Sequence, residues 1–134
     1  SIGVNLFFDV NKKLARLMNS FSNYKVSMEE IHHTEKKDEP SGTAITLAEG
    51  IIQEKKGIDH WVLGSGNSNN LPIRSKREGK VPGTHIVTYS SAVDDIEIKH
   101  TAHSRKGFAS GALMVAEWIL EKKGVLTMRD FLQI

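Results

Sequence analysis

An α+β domain is what the 134-residue sequence predicts, and three features predict it. Two segments repeat apolar residues at helical spacing, a third is apolar all round, and the runs THIVTYSSA and DIEIKHTAH are joined so closely that they read as an antiparallel hairpin. Helices and strands of this kind need one another to bury their apolar faces.

In order along the chain, Val10, Leu14, Leu17, Met18 and Phe21 recur at helical spacing. They predict an amphipathic helix over 4–21, with Lys12, Lys13 and Arg16 on its outer face. Ser22 and Asn23 break it, and YKVSMEEIHH follows as a strand with Val26, Met28, Glu30 and His32 on one face. A helical alternative for this run puts His32 and Lys36 on a common face; either geometry lets those two converge. Beyond Pro40, the stripe Ala44, Leu47, Ala48, Ile51 and Ile52 predicts a second helix, capped by Ser41 or Thr43 and ended before Gly57.

Residues 57–83 carry five glycines and two prolines and predict a long connection, with short strands at 61–63 and 73–76. Such a connection suits a functional or oligomer-contacting loop. The hairpin comes next, turning at 93–95, with Ile86, Thr88 and Ser90 on one face and Ile96, Ile98 and His100 together on one face of the second strand. Residues 112–120 are apolar except for Glu117, too apolar for a helix on a monomer's surface. Lys122, Lys123 and Gly124 supply stop signals, and Thr127 caps a short final turn.

Composition narrows the function. Lys and Arg number 18 against 16 Asp and Glu, a net charge of +2, so nucleic acid is not the expected partner. The absence of cysteine excludes disulfides, thiolate metal sites and thiol catalysis, and is compatible with a reducing cytoplasm. No apolar run approaches the roughly 18 residues of a membrane span. SIGVNLFF has neither an initiator Met nor the features of a secretory signal, and reads as the middle of a longer chain.

The chemistry concentrates in EIHHTEKKDEPSGTA, residues 30–44. A helix start offers unpaired N–H groups to an anion, Gly42 admits close approach, and Ser41 and Thr43 add hydroxyls. His32, His33, Lys36 and Lys37 lie just upstream, and either histidine suits a general acid near neutral pH. The set fits a small dianion undergoing protonation. Plain helix capping and a solvated charged loop account for the same residues without a ligand. A metal enzyme built on His32 and His33 is the poorer fit, since adjacent residues on an extended chain point apart. GSGNSN, residues 64–69, lacks the third glycine and the following helix of a dinucleotide loop. His85, His100 and His103 read as core or interface histidines, and Arg105 in SRKG as a surface residue or a phosphate ligand.

The same stretch closely resembles the signature of the 4-hydroxy-tetrahydrodipicolinate reductase family, long called dihydrodipicolinate reductase, of the lysine and diaminopimelate pathway. The likeness continues through SIGVN, REGKVPGTH (77–85), IEIKHTAHSRKGFASGA (96–112) and LTMRDFL, covering almost the entire chain. It implies a mixed sheet with helices packed on one face, the sheet joining a cytoplasmic homotetramer. It further implies a small cyclic dicarboxylate substrate and NADH or NADPH as hydride donor, bound by an N-terminal Rossmann domain. By motif position His32 resembles the acid/base residue and Lys36 its proton-donating partner. His33, Ser41, Gly42 and Thr43 resemble the residues that hold the substrate carboxylates, and Arg105 and Phe108 resemble positions facing the cofactor domain.

The resemblance begins where the family's nucleotide domain has just ended. The expectation is therefore that residues 1–134 are a substrate-binding and oligomerisation domain, with 107–134 packing on an absent Rossmann domain. Such a piece is expected to bind no nicotinamide and no metal, to be inactive alone, and to leave its apolar helix exposed, displaced or buried in a non-native contact with a symmetry mate. NADH and NADPH are not distinguished by these residues. A non-catalytic dicarboxylate-binding oligomerisation module is the alternative.

Overall fold

The computed structural model describes residues 1–134 as a five-stranded mixed sheet with helices on one face. Helix α1 spans Ile2–Leu17, started by Ser1, whose Oγ accepts from Val4 N. A 3-10 turn, Met18–Ser20, leads to strand β1, Lys25–His32. Helix α2, Gly42–Glu54, precedes β2 (His60–Leu63), β3 (Asn70–Arg77), β4 (Gly83–Ser90) and β5 (Asp95–Ala102). Helix α3, Lys106–Trp118, and the short α4, Met128–Leu132, close the chain.

The strand order is β2-β3-β1-β4-β5, with β2, β3 and β1 parallel and β4 and β5 antiparallel additions on the other side. The mixed α+β architecture is the one expected. The 84–103 hairpin forms as its sequence predicts, and β1 carries its inward residues at Val26, Met28, Glu30 and His32, all buried.

Pairing lines up inward residues in rows across the sheet. Val26, Tyr89 and Ile96 form one row, and Ile73, Met28, Val87 and Ile98 the next. These apolar rows meet Leu47, Ala48 and Ile51 of α2 in the core. The following row is polar: Ser75, Glu30, His85 and His100. Beyond it His32 pairs with Arg77. The sheet thus changes from oil to ions toward the end of β1, where the chain turns into α2.

Two elements differ from expectation. The buried face of α1 is Phe7, Asn11 and Ala15, continued by Met18, whereas Val10, Leu17 and Phe21 are exposed. The reason is the closeness of α1 and α2: Ala15 is fully buried, and a Cβ on Gly50 would come within 3.2 Å of the Lys12 side chain. Small residues allow that approach, so the contact face is not the bulkiest stripe. Lys12 and Arg16 accordingly face α2, bonding to Gln53 and Glu54. The second difference is β3, longer than expected and interior to the sheet. Pro72 is tolerated because pairing with β1 starts only at Ile73.

Helix α3 buries only Gly111, against the backbone of Ser1 and Ile2. Phe108, Leu113, Met114, Ile119 and Leu120 are exposed.

Candidate functional site

The site is built on a carboxylate. Glu30 has no exposed surface, and burial by itself would raise its pKa; hydrogen bonds from Ser41, Ser75 and Arg77 reverse this and hold it below the ordinary glutamate value. Oε1 accepts from Ser75 Oγ at 2.9 Å and from Arg77 Nη2 at 3.1 Å, and both oxygens lie 3.1 Å from Ser41 N. Oε2 also faces His32 Nδ1 at 3.2 Å, off the line of a well-formed hydrogen bond, and His85 Nε2 at 3.7 Å.

The two histidine rings meet edge to face at 5.1 Å. Burial lowers the pKa of His32, with Lys36 and Arg77 adding to the effect and Glu30 opposing it. His85 is pushed down to about 4, mainly by burial and then by His32, again against Glu30. It is neutral near pH 7, and its Nε2 lies 3.1 Å from Ser41 Oγ.

Ser41 caps α2, its Oγ accepting from Ala44 N. Its own N–H is taken by Glu30. The N–H groups of Gly42 and Thr43 have no protein acceptor, and nothing lies within 4 Å of the place a Gly42 Cβ would occupy. Two free donors and the positive end of a helix therefore face open space.

The other expected residues sit around this start. His33 points away from His32, half-buried, with Nε2 3.5 Å from Arg105. It lines a cleft of about 590 Å³ with Thr34, Glu35, Gly79, Lys80 and Arg105. Larger hollows of about 680 and 630 Å³ lie by the 66–70 loop and on the uncovered sheet face, and neither holds a histidine. Lys36 is close enough for its charge to act on His32 and His85, while its Nζ is held by both oxygens of Asp38 at 2.7 Å.

Sequence reasoning put Glu30 on the inward face with His32 and read His85 as a core or interface histidine, giving neither a part in the site, and it passed over Ser75 and Arg77. Their signal was present: a glutamate in the inward register of Val26 and Met28 must be paired if the strand is buried.

Ligand atoms of Glu30, His32 and His85 lie within 4.8 Å of one another, the spacing of a metal triad. The donor set does not fit a cation, because Ser41 N–H and Ser75 occupy the carboxylate and the Arg77 guanidinium stands 3.1 Å from it. A nicotinamide dinucleotide does not fit the glycine-rich 64–69 stretch either, which runs from β2 into β3 with no helix start behind it.

The family model "Dihydrodipicolinate reductase, C-terminus" matches residues 3–132. The 4-hydroxy-tetrahydrodipicolinate reductase of Christiangramia forsetii is 52% identical over 132 residues, 98% of this chain and 55% of that protein. The reductase of the same name from Methanosarcina barkeri is 39% identical over 137 residues, 98% of this chain and 51% of its own length. The structure of dipicolinate-bound dihydrodipicolinate reductase from Paenisporosarcina sp. TG-14 superposes with a TM-score of 0.67 at 22% identity, over 94% of this chain and 49% of that one. The chain spans about half the length of the curated relatives it matches. With a family match over nearly its whole length, the chain belongs to the dihydrodipicolinate reductase C-terminal family.

Proposed function

We propose that residues 1–134 bind a small cyclic dicarboxylate as the substrate domain of a cytoplasmic reductase that forms tetrahydrodipicolinate from its 4-hydroxy precursor. The observation that carries this is the pair of unpartnered N–H groups at Gly42 and Thr43, beside a loop that supplies His33 and Lys36. One substrate carboxylate takes the N–H pair and the Thr43 hydroxyl, and Lys36 and His33 meet the remaining negative charge. His32 moves the proton, with Lys36 released from Asp38 as its partner. Hydride comes from NADH or NADPH held by a Rossmann domain outside these residues, so this chain alone does not turn over. The exposed apolar surface of α3 and residues 107–134 suits packing against that domain.

Calorimetric titration with pyridine-2,6-dicarboxylate tests the reading. Binding is expected, weakened about tenfold or more in Lys36→Ala, which removes a charge-assisted contact. Equal binding by Lys36→Ala and by the original chain sinks it, as does no binding at all.

The sheet face opposite the helices is uncovered, with Ser27, Arg74, Thr88 and Glu97 around Ile86. We propose that this face joins four copies. Sedimentation should give a tetramer, and Ile86→Lys should give smaller species; a monomer from the unsubstituted chain overturns the assembly.

A further inference from the structure

We infer that Glu30 is a positioning residue that sets His32 and the start of α2 at once, so that one buried carboxylate aligns the acid/base histidine with the anion-binding turn. The role of His32 rests on the function proposed above; the geometry of Glu30 does not. A carboxylate with no exposed surface, replaceable in principle by an apolar side chain, instead touches both parts of the site. It holds the backbone N–H of Ser41, which fixes where the free Gly42 and Thr43 donors point, and it faces Nδ1 of His32.

The contact chooses a tautomer. An ionised Glu30 can only accept, so neutral His32 keeps its proton on Nδ1 and leaves the lone pair on Nε2. Nε2 lies on the Gly83 side, where even one added Cβ would come to 3.1 Å. A proton taken up by His32 goes to Nε2 and leaves from Nε2, while Nδ1–H stays on the Glu30 side in a charge–dipole contact at 3.2 Å, off hydrogen-bond alignment. The charged and titratable groups facing His32 are Glu30, Lys36, Asp38, Arg77 and His85. Lys36 and Arg77 disfavour the imidazolium, and Glu30 is the fully buried group that favours it. His85 leaves Glu30 to His32, because its own Nε2 is satisfied by the Ser41 hydroxyl.

Nitrogen NMR of the chain labelled at histidine tests this without ligand. The unsubstituted chain should show His32 as the Nδ1–H tautomer near neutral pH. Glu30→Gln should lower the proton affinity of His32 about tenfold or more, one pKa unit. Ser75→Ala removes a donor to Oε1 but leaves the His32 contact, and should keep the tautomer. An Nε2–H tautomer in the unsubstituted chain overturns the inference, as does a folded Glu30→Gln chain whose His32 titrates unchanged. If Glu30→Gln does not fold, the tautomer of the original chain decides. Loss of pyridine-2,6-dicarboxylate binding with the Nδ1–H tautomer intact would count against the proposed substrate and not against this role for Glu30.

Discussion

At the scale of single residues, the polar row across the sheet makes stability depend on pH. His85 has a folded-state pKa of about 4 against an ordinary 6.5, so the unfolded chain binds the proton more readily. Its contribution is therefore complete above pH 6.5 and is lost as pH falls toward 4, on the order of 3 kcal/mol in all. Glu30, also held low, adds to the loss in still more acid solution. Urea unfolding as a function of pH should show this slope, and His85→Gln should flatten the part between pH 6.5 and 4. Arg77→Met strips the cation from a fully buried carboxylate and should cost about 3 kcal/mol at neutral pH, read by the same unfolding experiment. Sequence reasoning pointed to His32, His33, Lys36 and the 41–43 turn because they are contiguous. Arg77 escaped it, and His85 read only as a core or interface histidine, because both reach Glu30 only through strand pairing.

At the scale of elements, α2 is the most legible part of the molecule and α1 the least. Ser41 and Gly57 stand where capping places them, and of the predicted stripe Ala44, Leu47, Ala48 and Ile51 are buried while Ile52 is only half-buried. Ser41→Ala should cost about 1 kcal/mol for the lost cap, with a further loss from freeing His85 Nε2, measured as a drop in the urea midpoint. In α1 the choice of face was made by fit and not by hydrophobicity, since Asn11 spends its Nδ2 on the Leu47 carbonyl at 2.9 Å in the α2 backbone. Gly50→Val would push into Lys12 and Asn11 and should destabilise by about 1–3 kcal/mol; a chain of unchanged midpoint would show that α1 and α2 separate easily. The extent of β3 was hidden for another reason. Its glycine-rich approach and Pro72 resemble a loop, and only neighbours on both sides, β2 and β1, make it a strand.

At the scale of the whole molecule, a tightly registered sheet carries a loosely attached end. Helix α3 buries little, so its amides should exchange with solvent well before those of β1; protection equal to that of the core would contradict the exposed surface of Phe108, Leu113 and Met114. The inward row of β1 has a different consequence. A strand displaced by one residue would turn Glu30 and His32 to the uncovered face and bring Glu29 and Ile31 beneath the helices. A misregistered chain therefore has no weakened version of the site. It has none, and competence to bind arrives in the same event that chooses the native pairing.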